Sequence, residues 1–442
     1  MINQHNHALR DSLSDEVHAR PFMVLRTPQR ISHIALLSGE GGYGRDRDRL
    51  ARLCKLFGVD VSHVDANHWM GNLGALDLRW ERHAEFSTFT FILDGSFDDP
   101  FVETAVRLIP AEWMAELGQE VLAATHLVIE KGSATERIAT AASRFEGNPV
   151  AGSRVVGGGA EAWSDFRRHD DGFGRIVLLD IDLREQQAGR LAQRLLEIET
   201  YRMMALLALP MARATSPRLS AAGAELAQII ESISHAEGLE QDHSLLGRLI
   251  ALAAESEAHA AAGDYRFGAA RAYYALVNSR IGELRETRIE GVPTIGEFME
   301  RRLAPAMHTC ETVAARQERF SERVSRASQL LRTRVDIALE SQNRDLLRSM
   351  DQRAQLQLRL QQTVEGLSVV AISYYLVGLL AYVFKAINHA GVALPVDLAT
   401  GVAIPIVLIV IWFAIRQVRL KIAGPPAVGN GNKVKVAGSV HE

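Results

Sequence analysis

The sequence has few of the residues and motifs that mark a secreted or disulfide-bonded protein. It has two cysteines, Cys54 and Cys310, which lie far apart and lack metal-ligand spacing. This scarcity argues against a disulfide framework and fits a reduced compartment. The first 22 residues are polar and contain no apolar signal-peptide core, so we expect residues 1–366 to stay in the cytosol.

Catalytic, metal and nucleic-acid signatures are scarce as well. The sequence contains no G-x-S-x-G, H-E-x-x-H or Walker A motif, which predicts that the protein is not an enzyme and holds no cofactor. The net charge of −4 gives no reason to expect a nucleic-acid partner. Several histidines are scattered without helical pair spacing, so they predict no metal site: His63, His68, His83, His126 and His169.

Two short motifs leave alternatives open. The segment Gly39–Gly44 matches G-x-G-x-x-G between the predicted strand Ile31–Gly39 and the predicted helix Asp46–Gly58. It is interpreted as a flexible strand–helix loop, with nucleotide binding as the alternative. The segment Glu16–Phe22 (EVHARPF) either fixes the N-terminal helix to the domain or binds an anion or an acidic partner.

The C-terminal region contains two long apolar segments, Leu367–Ile387 and Leu398–Ile415. Each is long enough to cross the hydrocarbon core of a bilayer, and the linker Asn388–Asp397 allows only a tight reversal. Basic residues precede the first apolar segment and follow the second: Arg348, Arg353 and Arg359 before, and Arg416, Arg419 and Lys421 after. The positive-inside rule therefore places both termini in the cytoplasm.

The periodicity predicts an α+β/α membrane protein with an N-terminal α/β sandwich domain, a long helical stalk and a C-terminal two-helix transmembrane hairpin. Strands are expected at Leu76–His83, Glu85–Gly95, Val121–Glu130 and Arg175–Leu183, with helices such as Phe101–Ile109 and Thr135–Phe145 between them. The predicted division is a cytoplasmic α/β domain at 1–183, a helical region at 184–294, a stalk at 295–366, a first span at 367–387, an outer loop at 388–397, a second span at 398–415 and a basic, flexible tail at 416–442.

Local patterns give further expectations within these parts. Phe89 and Phe91 lie two residues apart and are expected on one face of their strand. In the helix Arg190–Met203 an apolar stripe and two possible ion pairs predict a structural helix: Leu191, Leu195 and Ile198, with Arg194–Glu197 and Glu199–Arg202. Breaks are expected near Pro210, at Ser216-Pro217 and at 291–293, and a capping box formed by Thr294 and Glu297 begins the last helix, in which Pro305 is the one strong breaker.

These features together resemble two families. The α/β domain, the helix QRLLEIETYR, the long stalk, the short outer loop and the basic tail resemble the CorA-type metal-ion transporters, and the stretch Gln342–Gly378 resembles their stalk-to-pore helix. The EVHARPF segment resembles a bacterial family described only as predicted membrane-anchored proteins of unknown function. The CorA resemblance implies a homo-oligomer in the bilayer, a pentamer whose first spanning helices line a pore.

The chain departs from the CorA pattern at the selectivity motif. Where CorA proteins carry Gly-Met-Asn, this chain offers Ala381-Tyr382-Val383. A candidate pore face is formed by Tyr374, Gly378, Ala381, Tyr382 and Lys385, and a ring of Lys385 ammonium groups would repel cations. The favoured interpretation is that Lys385 reaches the membrane interface and Tyr382 joins the aromatic belt.

Asp397 is the candidate outer-loop residue for collecting ions, and the favoured interpretation is a solvated loop carboxylate. Two functions follow for a two-span protein of the bacterial inner membrane. One is a CorA-like oligomeric ion transporter or channel that lacks the Gly-Met-Asn motif. The alternative is a membrane-tethered sensor or scaffold whose cytoplasmic domain binds a ligand or a protein partner.

Overall fold

A computed structural model describes residues 7, 9–10, 13–14, 22–39, 41–61, 67–132, 143–389 and 395–422 of the chain. The chain divides into two compact units, residues 1–333 and 334–442. The predicted helix Thr135–Phe145 lies mostly outside the described residues, as does all of Glu16–Phe22 except Phe22.

The first unit is built around a nine-stranded sheet. Its order is β2-β3-β4-β1-β5-β8-β7-β6-β9, and only the central β5–β8 pair is parallel. The strands are β1 Gln29–Leu37, β2 His68–Asn72, β3 Leu76–Arg82, β4 Phe86–Asp94, β5 Val121–Lys131, β6 Ala151–Val155, β7 Ala160–Ser164, β8 Gly174–Asp180 and β9 Thr287–Arg288. The five strands that the periodicity predicts are present, in a sheet that is mostly antiparallel.

Helices account for most of the remaining described chain. They are α1 Tyr43–Leu56, α2 Ala111–Leu117, α3 Glu185–Leu206, α4 Ala208–His235, α5 Leu239–Leu284, α6 Ile295–Arg302, α7 Ala304–His389 and α8 Val396–Ile422. The capping box predicted at Thr294 and Glu297 is present, with the Glu297 amide donating to Thr294 Oγ1 at 3.1 Å. A break at Leu303 separates α6 from α7, as expected just before Pro305.

The two faces of the sheet bury different helices. On one face, Phe89 and Phe91 are fully buried and pack edge-on against Trp113 of α2, as their spacing of two predicts. On the other face lies α3, whose predicted apolar stripe of Leu191, Leu195 and Ile198 is buried against the sheet. The large cluster around α3 also contains buried side chains from α5, α6 and the start of α7.

Two sequence expectations about helices are wrong in detail. A break is expected at Ser216-Pro217, but α4 continues through Pro217. The segment Phe101–Ile109 is expected to be an α-helix, yet only Ala105–Leu108 forms a helical turn, of the 3₁₀ type.

Of the two ion pairs expected along α3, Glu199 pairs with Arg202 at 2.6 Å, whereas Arg194 pairs with Glu283 of α5 at 2.7 Å.

Two helices, α7 and α8, contain segments that are long and apolar enough to cross a membrane by length and composition. Their most apolar windows have a mean hydropathy of 2.1 and 2.6, and only 6% and 11% of those windows is buried. Because a core helix of a soluble protein would be mostly covered, this exposure agrees with a lipid-facing role. The buried positions in the apolar segments are few and are Ser373, Val407 and Ile411.

Candidate anion-binding cleft

Two adjoining depressions in the first unit form the candidate site. Their volumes are about 550 Å³ and 350 Å³, and they share Phe166, Arg167 and Arg202 as a common wall. The loop that follows β7, the C-terminal half of α3, and α6 with the residue after it contribute the arginines and the aromatic side chains. The larger depression is also lined by β1, by α2 with the residue after it and by the start of β5, and the smaller one by Pro149. We call the combined site the arginine cleft.

An aromatic pair lies at the centre of the arginine cleft. Phe166 and Phe298 stack with ring centroids 4.6 Å apart. Phe166 adopts a φ of 53°, a conformation that costs a non-glycine residue roughly 1 kcal/mol or more and that clusters at functional sites. The Ser164 hydroxyl helps to hold this turn by accepting a hydrogen bond from the Phe166 amide at 3.0 Å.

The cleft contains one more arginine than it has carboxylates, with four arginines lining it against Asp165, Asp171 and Glu199. Arg167, Arg168 and Arg302 are exposed, and none of them forms a salt bridge within the described part of the chain. The nearby carboxylates are already engaged. Asp165 accepts from Asn148 Nδ2 at 2.9 Å and lies 3.0 Å from His169 Nε2, and Asp171 accepts from the Phe173 amide at 2.9 Å.

An ion pair between the half-buried Arg202 and the buried Glu199 forms the inner wall of the cleft. Arg202 Nη2 donates to Glu199 Oε2 at 2.6 Å, and the Arg202 guanidinium lies 5.7 Å from the centroid of the Phe166 ring. Arg202 Nε and Glu199 Oε1 are buried without a hydrogen-bond partner among the described residues. Unpartnered buried polar atoms of this kind cost about 1–3 kcal/mol each, so a ligand or water that reaches them is favoured.

This arrangement is suited to an anion with an apolar body. Planar guanidinium groups donate in a fork that matches phosphate and carboxylate oxygens, and Arg167, Arg168 and Arg302 line the two depressions without a carboxylate partner among the described residues. The aromatic pair, with Met203, Leu206 and Leu303, provides an apolar lining beside them.

A serine, a histidine and an aspartate also come together next to the cleft. Ser32 Oγ lies 2.8 Å from His126 Nδ1, and His126 Nε2 lies 3.6 Å from Asp171 Oδ2. Ser32 is 0% exposed, so no substrate carbonyl can reach its hydroxyl. Burial lowers the pKa of His126 to about 4, which keeps the ring neutral at pH 7 and makes this array a buried hydrogen-bond network.

The glycine-rich segment 39–44 follows β1, and its last two residues already belong to α1. A carboxylate occupies the start of this helix. Asp46 in the first turn of α1 is fully buried, accepts from Ser38 Oγ and pairs with Arg49 at 3.3 Å. A fixed negative charge at a helix N-terminus disfavours a pyrophosphate there. The described geometry therefore favours a structural loop.

The candidate pore-face residues divide between two environments. Tyr374 and Tyr382 are 77% and 76% exposed, and Lys385 is exposed as well, whereas Gly378 and Ala381 are half-buried. Asp397 is exposed in the first turn of α8. No group of three or more potential metal-ligating side chains occurs among the described residues.

Sequence reasoning did not find the arginine cleft. Its arginines come from positions 167–168, 202 and 302, which only the tertiary fold brings together. The apolar stripe of α3 predicts a structural helix, and this accounts for its buried side but gives no indication that Arg202 on the same helix lines a cleft. The one local signal is the Arg167-Arg168 pair just after a β-rich segment.

Comparison with known proteins gives one match. The model of a family described as "Protein of unknown function (DUF3422)" matches residues 5–422. This agrees with the resemblance to a family of unknown function. No curated protein and no solved structure matches the chain.

Proposed function

This chain belongs to the DUF3422 family of proteins of unknown function, and from that premise we propose that it is a membrane-anchored binding protein for a phosphate-bearing ligand. The observation that carries the proposal is the arginine cleft, where Arg167, Arg168 and Arg302 stand without carboxylate partners beside the stacked Phe166 and Phe298. A membrane-tethered sensor or scaffold is the alternative function that the sequence left open, and the arginine cleft gives its ligand a chemical class.

The membrane anchor in this proposal is the helix pair of α7 and α8. Its support is the length, apolarity and exposure of the two segments, together with the basic residues that precede the first segment and follow the second. The inner-membrane location with both termini in the cytoplasm is part of the proposal and rests on the positive-inside rule. The phosphate can come from a soluble metabolite or from a lipid headgroup, since both present the same oxygens.

Substitution of Arg302 tests the cleft. In the full chain purified in detergent, Arg302→Gln is expected to weaken phenyl phosphate binding by about tenfold or more, because a charge-assisted hydrogen bond contributes about 1.5–3 kcal/mol. The matched control is Arg301→Gln, because Arg301 is the adjacent arginine of α6 and lines neither depression. Binding is measured by isothermal titration calorimetry.

Three probes separate the possible sources of the phosphate. Preference for dihexanoyl phosphatidic acid over phenyl phosphate supports a lipid headgroup, and the reverse order supports a soluble phosphomonoester. The difference in affinity between inorganic phosphate and phenyl phosphate measures how much the apolar part of the ligand contributes to binding. Equal affinity of the Arg301→Gln and Arg302→Gln proteins for phenyl phosphate, or no binding of any probe, contradicts the proposal.

An oligomeric CorA-like transporter is the second candidate function that we propose. The observation that favours it is the face of α7 on which Tyr374, Tyr382 and Lys385 are exposed, in a helix that runs without a break from Ala304 to His389. Such an apolar helix with a polar exposed face suits pairing with further copies of the chain around a pore.

Ion flux distinguishes this second candidate. Proteoliposomes are expected to pass Mg²⁺, Zn²⁺ or an anion, and Lys385→Ala is expected to change the ratio of cation to anion flux because it removes the positive ring. Asp397→Asn, in the predicted outer loop, is the comparison variant in the same flux measurement. Liposomes that carry the folded protein and pass no ion exclude this candidate and leave the binding proposal intact.

A further inference from the structure

A second cavity lies inside the first unit and shares no lining residue with the arginine cleft. Its volume is about 190 Å³, and it lies between the α3-facing side of the sheet and the helices α3 and α5. Its lining is unusually polar for the interior of a domain. The residues that matter here are His33, Arg79, Glu81, Thr88, Glu197 and Arg280.

The sheet contributes a polar patch where an apolar one is the norm. In the register of the strands, Arg79 of β3 stands opposite Thr90 of β4, which stands opposite His33 of β1. In the next row, Glu81 stands opposite Thr88. Arg79 is only 2% exposed, and a buried arginine is rare unless other groups hold its charge.

The charges that line the cavity are balanced. Arg79 Nη2 donates to Glu81 Oε1 at 2.7 Å, and Arg280 Nε donates to Glu197 Oε2 on the helical side. Burial, and then the positive charge of Arg79, lowers the pKa of His33 to about 4, so its ring is neutral at pH 7. The six residues therefore sum to zero charge, and a lone cation or anion entering this interior would remain uncompensated.

The lining also has hydrogen-bonding capacity that the protein does not use. The Thr88 hydroxyl is buried and has no partner among the described residues, and Thr88 itself is 3% exposed. His33 cannot be the hydrogen-bond partner of the Thr88 hydroxyl, because both of its ring nitrogens already contact other threonine hydroxyls, Thr90 at 2.8 Å and Thr200 at 3.1 Å. A buried hydroxyl without a partner costs about 1–3 kcal/mol, which favours an occupant that satisfies it.

We propose that this cavity binds a small zwitterion of the amino acid or betaine class. Its carboxylate would lie against the guanidinium group of Arg79 or Arg280, and its ammonium group against the carboxylate of Glu81 or Glu197, so that the site stays neutral overall. Cavities of about 150 Å³ hold a molecule of benzene size, so a space of 190 Å³ admits about six to eight non-hydrogen atoms. This is the size of serine, proline or glycine betaine.

Calorimetric titration of the full chain in detergent with L-serine, L-proline and glycine betaine tests this proposal. At least one zwitterion is expected to bind, and propionate, propylamine and propionamide of similar size are expected to bind at least tenfold more weakly. Glu81→Gln is expected to weaken zwitterion binding about tenfold, and Thr88→Val about fivefold, the equivalent of one hydrogen bond.

Ser87→Ala is the matched control for Thr88→Val. Ser87 is the neighbouring residue of β4, its hydroxyl is also buried without a partner, and it does not line the cavity, so its loss is expected to leave the affinity unchanged. No binding of any of the three zwitterions, or equal loss of affinity in the Ser87→Ala and Glu81→Gln proteins, overturns the proposal. Arg302→Gln is expected to leave zwitterion binding unchanged. Failure of phosphate binding in the arginine cleft can therefore be distinguished from failure of zwitterion binding in this cavity.

Discussion

Replacement of Gly189 by alanine is expected to lower the melting temperature of the sheet-containing unit by about 6–12 °C. A Cβ atom at this position of α3 would lie 1.7 Å from the backbone oxygen of Met23. The chain passes so close here because Met23 and Leu25 are buried in the main cluster and the Leu25 amide donates to the Glu185 carbonyl at 3.3 Å. Overpacking against backbone costs about 3 kcal/mol, and 1 kcal/mol shifts the melting temperature of a unit this large by roughly 2–4 °C.

Gly223 provides the control for this substitution. It lies within α4, and a Cβ atom there would meet nothing within 4 Å. Gly223→Ala is therefore expected to raise the melting temperature slightly, since alanine is favoured over glycine in a helix by about 0.5–1 kcal/mol. Tryptophan fluorescence follows both variants, because four of the five tryptophans lie in the first unit. An unchanged melting temperature in Gly189→Ala would show that the N-terminal segment does not pack on α3.

Arg266→Met is expected to cost the first unit about 3–5 kcal/mol. Arg266 of α5 donates to both carboxylate oxygens of Glu85, at 2.8 Å and 2.7 Å, and the Glu85 side chain is only 5% exposed. Removing the arginine leaves a buried carboxylate without its counter-charge, which is the costly way to break such a pair. Glu85 lies in the β3–β4 connection, so this pair joins the sheet to α5.

The double variant Glu85→Leu with Arg266→Met is expected to recover most of that stability, because two apolar side chains of similar volume replace the pair. The comparison pair is Arg248 and Glu225, 3.6 Å apart with side chains 45% and 47% exposed. Arg248→Met is expected to cost less than about 1 kcal/mol. Thermal unfolding of all three proteins gives the comparison, and a small loss in Arg266→Met contradicts the account of this contact.

The sequence was sufficient to predict elements whose own periodicity determines them. The strands β1, β3, β4, β5 and β8 have apolar runs or alternation, and the alternating Phe89 and Phe91 are buried as expected. The strands β6 and β7 were missed because they are five residues long and Gly-containing segments surround them. Pro217 did not end its helix, which shows that tertiary packing overrides a local breaker.

Neither candidate binding site could be predicted from the sequence, for a shared physical reason. The residues of the arginine cleft and of the polar cavity are isolated in the sequence and meet only through sheet register and helix packing. A buried arginine such as Arg79 in a strand gives the same local pattern as an exposed one. Only the pairing of β3 with β4 shows that Arg79 faces Thr90 inside the domain.

The most direct test of the central claim is a calorimetric titration of the full chain in detergent with phenyl phosphate. We predict one saturable site per chain that is competed by other phosphomonoesters and weakened about tenfold or more in Arg302→Gln. Phenyl phosphate that fails to bind, or that binds without saturation and with the same heat in Arg302→Gln, would contradict a phosphate-binding arginine cleft.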